Sequence, residues 1–533
     1  MSLPHKPQLF LLALCRLSEP LSNTCLLPYI YYLIRSLHPS SNPTPAAISR
    51  QAGLLVSLFA LSQFATSLPW ASIANRWGRK PSITIGLVLS IVSNLGFGFS
   101  KSIPALMCWR VVAGIGNGNI GVMRTMTAEI VVERKYQSRA FLLLPLVFNS
   151  GNVVGLAVGG WLADPVTNLP SLFGQNGILN FGHTEGGVAW MREYPFALPT
   201  IFNACVLFSS LLLAFFGLRE TMPGATHHRD LGLKMKDSFV RIVRRIFRGR
   251  AAEYTSLNQG LETDSELDLL SKTSTSTTTT SAENAPAKLS ITSREIYTRE
   301  VLLTIISFAL LPLHNSAFMN LFPVFLSTPP SPNTPTTLLS FTGGLGLPSP
   351  TIGLYLSAFA IYGILIQLFL YPPLQSHLGT LGIYRLALAL FPLTYTLTPY
   401  LSLLPPKTII SGICIAVILW SQVTARTFGI PSSVILLTNS AARKEHLGAV
   451  HGVGNMANAL ARAVGPAVGG VVYGWGVEGG CVGLVWWVWL GVVCVVGLAW
   501  SFTLTEGEHP AAKKTPPRIV VQDVESEGRM ERY

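Results

Sequence analysis

The chain is short of charge. Only 12% of its 533 residues are Asp, Glu, Lys or Arg, too few to cover a soluble surface of this size. It also lacks the patterns of disulfides and metal centres. The cysteines (Cys15, Cys25, Cys108, Cys205, Cys414, Cys481 and Cys494) sit singly in apolar runs, with no Cys-x-x-Cys, and read as small buried hydrophobes. There is no Asn-x-Ser/Thr acceptor with a permitted middle residue, no Gly-x-x-x-x-Gly-Lys-Ser/Thr, and no acidic or histidine cluster at ligand spacing. A resident cofactor, a structural metal and an ATP-driven pump are thereby excluded from the reading, and no enzyme signature competes. Period-two strands of about ten residues, which a membrane barrel needs, are missing as well. The N-terminus shows no small-residue cleavage site, and its apolar run is long enough to span a bilayer.

What is present is apolar sequence in long runs. Twelve spans fit it, at 8–34, 51–73, 82–100, 104–128, 140–162, 196–218, 300–325, 350–373, 382–403, 408–437, 447–475 and 480–503, each near the twenty or so residues that cross hydrocarbon. The expected fold is an all-α membrane protein of two pseudosymmetric six-helix bundles: an N-terminal half 1–218, a basic, partly disordered linker 219–299, a C-terminal half 300–504 and a tail 505–533. A repeat supports the two halves. Gly151-Asn-Val-Val-Gly155-Leu-Ala-Val-Gly159-Gly160 returns 310 positions later as Ala461-Arg-Ala-Val-Gly465-Pro466-Ala-Val-Gly469-Gly470, with six of ten residues identical. Such small-residue faces let helix backbones approach closely, and related halves are a usual plan for transporters.

The basic residues set the expected orientation. Segments 74–81, 129–139 and 441–446 carry Arg76, Arg79, Lys80, Arg134, Lys135, Arg139, Arg443 and Lys444, and 219–299 carries thirteen more Lys and Arg. The opposite side has little beyond Arg50, Lys101, Arg192 and Lys407. Both termini and the linker are therefore expected in the cytosol. The net charge of +13 belongs to these membrane-flanking loops, so the partner it implies is lipid phosphate and not nucleic acid. Residues 234–250 read either as an amphipathic helix on an anionic bilayer surface or as a solvated linker helix. The Ser/Thr run 271–281 has too little to bury to fold. The Gly-rich 163–195 loop reads as a small lid.

Charged and polar residues inside spans are expensive, and they mark candidate transport chemistry. Arg16 and Glu19 are three apart on one helical face; Glu19 is a candidate for reversible protonation, or the two form a structural clamp. Arg110 precedes a glycine ladder at 114, 116, 118 and 121, and could attract an anion or modulate a nearby acid. Arg124 and Glu129 suggest a gate or loop anchor. Candidates for a central cavity are Tyr29, Asn117, Asn119, His314, Asn315, Gln367, Gln422, Arg426, His451 and Asn455. His314 and His451 as a metal pair is the weaker alternative to ordinary polar packing. In the loop after span two, Asn75-Arg76-Trp77-Gly78-Arg79-Lys80, Gly78 permits a tight turn and the cations suit lipid phosphate or a neighbouring carboxylate.

Over nearly its whole length the chain resembles the major facilitator superfamily. The Asn75–Lys80 loop resembles the signature between spans two and three, with Ala71 and Asn75 where Gly and Asp are usual; that change removes a carboxylate expected at the cytosolic gate. Arg110 with Gly114 resembles the span-four signature, which implies proton coupling. Gly151–Gly160 resembles the span-five motif of drug–proton antiporters, with Leu156 in place of Pro, whereas the second half keeps Pro466. A narrower resemblance, to fungal relatives of the plant zinc-induced facilitator-like transporters, rests on Arg16-Leu-Ser-Glu19-Pro20, Pro28-Tyr29-Ile30, Gly118-Asn-Ile-Gly-Val-Met-Arg124, Phe322-Pro-Val-Phe-Leu-Ser-Thr328 and Ala461-Arg-Ala-Val-Gly-Pro466.

The resemblance implies secondary active transport of a small solute or ion by alternating access, coupled to protons and favouring efflux, by a monomer in the plasma or vacuolar membrane. The fold implies a central cavity lined by spans one, four, seven and ten. Two alternatives are a proton-independent facilitator and a transporter-like sensor or scaffold acting through its linker.

Overall fold

The computed structural model describes residues 6–222 and 297–506, apart from short gaps at 39, 41, 132–133, 332–336, 406–407 and 442–445. Most of the linker and nearly all of the tail lie outside the described residues. Among those described the chain is helical, with a single isolated bridge between Pro330 and Gly343 in place of any strand. The helices run back and forth between two ends in a manner consistent with twelve passes. Six helices are individually long and apolar enough to cross a membrane.

The boundaries follow local chemistry. Span one is broken: Lys6–Thr24 ends after Pro20, a turn covers 25–29, and Ile30–Leu37 resumes, as expected where Pro removes a ladder donor. Span two, Pro45–Trp77, is capped by Thr44, whose hydroxyl accepts from Ala47 N. Span three, Arg79–Gly98, follows directly because Gly78 turns the chain at φ 107°. The same device separates spans eight and nine, where Gly379 sits at φ 72°. Both conformations suit glycine alone.

Each half packs in the same way. Span one lies against spans five and six, span two against four, and span three against four and six; span seven lies against eleven and twelve, span eight against ten, and span nine against ten and twelve. Gln8 donates to the carbonyl of Gly217 and accepts from Arg219 N, which brings the N-terminus beside the end of span six. Trp500 Nε1 donates to Leu303 O, which does the same for spans twelve and seven. We call this the terminal end and the opposite one the distal end.

The halves meet at the distal end. Span two packs on span eleven and span five on span eight. The largest buried apolar cluster joins Ile34, Ile48, Leu55 and Leu156 of the first half to Phe322, Ile352 and Trp486 of the second. Towards the terminal end, separate clusters are built around Leu12, Ile83 and Met126 in one half and around Val301, Phe308 and Val450 in the other.

Candidate transport and coupling site

The repeated Gly-Gly pairs do two different things. Gly159 lies on the backbone of Cys25 in span one, and Gly469 on Leu321 and Ala317 in span seven: both face inward within their own half. Gly160 and Gly470 face across to the other half. A Cβ on Gly160 would lie 2.7 Å from Ser349 O, and one on Gly470 would lie 2.6 Å from Ser49 O. Gly151 and Gly155 lie on Leu17, Pro20, Leu21 and Thr24 of span one; Gly465 lies on Leu313 and Ser316 of span seven. Pro466 turns its carbonyl towards Gly53, as Leu156 does towards Gly353.

The partners form a second repeat, weaker in sequence than the first because its identities are scattered along the helix. Ser49, Gly53, Leu54, Ser57, Phe59 and Ala60 return 300 positions later as Ser349, Gly353, Leu354, Ser357, Phe359 and Ala360. Aligning spans two and eight would have exposed it. Around this seam, Ser49 Oγ donates to Gly470 O (3.2 Å), Asn149 Nδ2 donates to Gln367 Oε1 (2.9 Å) and Arg50 pairs with Glu478 (2.5 Å). Gln367 lies in a π turn, Ile366–Leu370, a form that often marks functional positions.

Arg110 is buried in the first half. Its Nε reaches Leu55 O at 3.5 Å, at the limit of a hydrogen bond, and its guanidinium lies 4.7 Å from the centre of the Phe59 ring. Such a cation–π contact contributes about 2 kcal/mol when desolvated. No carboxylate of the described residues pairs with it. It lines a cavity with Tyr29, whose ring stacks on Phe196 at 5.6 Å. Asn117 lines a neighbouring cavity, and its carbonyl accepts from Gln63. Arg16 is buried with its guanidinium over Phe148 of span five. The side chains of Glu19, Asn119 and Arg124 lie outside the described residues.

In the second half the candidates separate. His314 is fully buried, with Nδ1 2.7 Å from Tyr395 Oη and its ring against Phe391. Gln422 donates to Asn315 Oδ1 at 3.2 Å. His451, near the start of span eleven, has its Nε2 3.0 Å from Thr438 Oγ1, a different partner on a different helix from those of His314 in span seven, and Asn455 is exposed. Arg426 is half-buried one turn beyond Gln422.

At the terminal end the Asn75–Lys80 loop is ringed by carboxylates. Arg79 pairs with Glu129 (3.1 Å) and donates to Asn75 Oδ1 (2.6 Å). Glu220, just past span six, accepts from Arg79 N (2.9 Å) and Lys80 N (3.0 Å), capping span three. Its counterpart Glu506 accepts from Thr380 N (2.8 Å) at the start of span nine. Arg76 is exposed. Neither capping carboxylate was singled out from sequence, although Leu218-Arg-Glu220 and Leu504-Thr-Glu506 share a pattern. Carboxylates favour helix N-termini, where free N–H groups gather.

Comparison with known proteins agrees with this architecture. The sequence profile of the Major Facilitator Superfamily matches residues 12–466. The chain is 33% identical over 524 residues to the major facilitator superfamily multidrug transporter mfsB of Aspergillus fumigatus, covering 94% of this chain and 84% of that one. It is 26% identical to Protein ZINC INDUCED FACILITATOR-LIKE 1 of Arabidopsis thaliana, over 88% and 84%. Among solved structures, a D-xylose–proton symporter superposes with a TM-score of 0.62 at 11% identity, over 94% of this chain and 98% of that one, a likeness of fold. With its paired six-helix halves, its one-ended seam and these relatives, the chain belongs to the major facilitator superfamily, a family of membrane transporters and not of enzymes.

Proposed function

We propose that this chain exports a small solute in exchange for protons, with both termini in the cytosol of a plasma or vacuolar membrane. The supporting observation is Arg110: a guanidinium buried in a span, without a carboxylate among the described residues to neutralise it, beside a cavity that reaches span one. A charge held there at such cost is retained for use. Glu19, one turn before Ser22 in span one, is the proton carrier in this reading. Efflux is supported by the relative named as a multidrug transporter and, over shorter matches, by an efflux pump of Aspergillus niger and a quinolone resistance protein of Staphylococcus aureus. The seam at the distal end fits one state of an alternating-access cycle, closed there and ready to open by rocking of the halves.

The test is transport in sealed vesicles under an imposed pH gradient, screening cationic drugs and organic anions. Glu19→Gln should abolish gradient-driven accumulation and spare substrate counterflow, because Gln keeps the size but cannot cycle a proton. Gradient-driven transport in Glu19→Gln with wild-type pH dependence would make Glu19 a structural partner and the protein a facilitator.

A further inference from the structure

Among the described residues nothing answers the charge of Arg426. Span ten, Ile409–Asn439, gives one side to span nine, where Ser421 Oγ lies 2.7 Å from Thr394 Oγ1. A second side goes to span eight, where Thr424 Oγ1 lies 3.2 Å from Tyr362 Oη and Gly363 lies against Val423 and Thr427. A third meets span seven, with Gln422 on Asn315 and Gly429 on Leu311. At 100° per residue, Arg426 lies about 140° round the helix from Ser421, between the sides held by spans seven and eight. That side is turned to the other half. Ile430, one turn nearer the terminal end and on the same side, is 40% exposed, as expected beyond the distal seam. The half-buried Arg426 has no hydrogen bond, ion pair or aromatic contact among the described residues. One turn earlier, Gln422 is fully buried; its Nε2 donates to Asn315, and its Oε1 has no donor. Residues four apart on a helix stand about 6 Å from each other, so a free cation and a free acceptor sit side by side. The twelve spans read from sequence also hold six arginines (Arg16, Arg110, Arg124, Arg385, Arg426 and Arg462) against two acids, Glu19 and Glu300.

We propose that Arg426 and Gln422 form a substrate subsite for a small organic carboxylate that also carries a hydroxyl or amine. The guanidinium fork donates two parallel N–H···O bonds to the carboxylate, a geometry an ammonium does not offer. Gln422 Oε1 accepts from the hydroxyl or amine about one helical turn away, which removes the cost of a buried acceptor without a donor. Arginine held in a span for structure alone finds a partner in the protein; here the partner is the cargo. The positive excess in the spans favours an anion and opposes a lipophilic cation on this side of span ten. The proposal rests on the export reading above, and it narrows the exported solute to one charge class.

Thermal melting of the purified full chain tests it without any need for a proton gradient. The probes are citrate, malate, salicylate and tyrosine, each beside its methyl ester, with tetraphenylphosphonium as the cation. At least one acid should raise the melting temperature in a saturable way, and its ester should not. No stabilisation by any of the acids, or stabilisation by the cation alone, would overturn the proposal. For the acid that binds, Arg426→Gln should weaken the apparent affinity about tenfold or more, and Arg426→Lys should weaken it less. Without ligand, Arg426→Gln should melt where the wild type does, because no contact within the protein is lost. A variant that melts well below the wild type, or that binds the acid equally well, would make Arg426 a structural residue and overturn the subsite. The same acid is then followed in sealed vesicles under a pH gradient. Binding through Arg426 with no gradient-driven movement would overturn proton-coupled export and leave the subsite standing.

Discussion

Adjacent glycines in span eleven should respond oppositely to one methyl group. In Gly470→Ala the new Cβ would lie 2.6 Å from Ser49 O, against 3.4 Å for ordinary contact, a shortfall of about 0.8 Å. The obstructing atom is backbone of the other half, so the seam must part. Overpacking of this kind costs about 1–3 kcal/mol. If only the distally closed state bears it, the equilibrium shifts towards distal opening by roughly 5–150-fold. In Gly469→Ala the nearest atom, at 2.8 Å, is Leu321 Cδ1, the end of a side chain within the same half that can rotate away. Spin labels on cysteines introduced at Asn42 and Thr337, in distal loops of opposite halves, report the opening by electron–electron distance, with the exposed Cys108 and Cys205 replaced. Gly470→Ala should populate a longer distance, as should Gly160→Ala, and Gly469→Ala should not. A longer distance in Gly469→Ala with none in Gly470→Ala would refute the division of labour between the two glycines.

Other expectations follow from the same geometry. Gly159→Leu should prevent folding, because Cys25 backbone occupies the space; normal expression and transport would contradict this. Glu220→Ala should lower thermal stability by about 1 kcal/mol through loss of the span-three cap, and Glu506→Ala, which uncaps one amide of span nine, by less. Arg110→Lys should impair coupling, since an ammonium does not reproduce the guanidinium over Phe59, read as gradient-driven uptake against counterflow. At the distal surface, the hydrogen bond from Lys101 holds the Glu193 carboxyl below its ordinary value of 4.5, and the bond to Glu193 raises Lys101 to about 12. The depressed carboxyl helps fully above its ordinary value and loses that help as pH falls below it and through the folded value. The raised ammonium helps fully below 10.5 and loses its help near 12. Lys101→Met should therefore leave the pH profile of transport unchanged between about pH 5 and 8.

Many of the passes were legible because hydropathy marks them: spans two, three, six, seven, eight, nine and ten fall in helices long and apolar enough to cross a membrane. Predicted and observed ends of span five coincide at residue 162, and those of span six differ by one residue at each end. Gly151–Gly160 could be seen as a helix face because identical small residues recur at fixed spacing. Which glycine of each pair faces the other half was not legible, since neighbours on a helix point about 100° apart and the sequence carries no neighbour's position. Glu220 and Glu506 escaped because they follow the spans, where a lone carboxylate looks like ordinary solvated charge until the helix start it caps is known. Tyr29 and Arg110 were chosen as costly polar groups in apolar runs. That they share a cavity within one half depends on the break at residues 25–29, whose direction Pro20 and Pro28 do not fix.

The seam has a consequence for assembly. Ser49 and Gly53 on Gly470, and Ser349 and Gly353 on Gly160, are two copies of one contact, so the halves relate to each other as subunits of a two-fold dimer do. Each half presents a surface already shaped for something very like itself. Residues 1–222 and 297–533, made as separate polypeptides, should find each other in the bilayer and restore transport. Made alone, either half should self-associate through the same faces, and the joining segment then acts as a tether that biases a self-complementary surface towards the unlike partner.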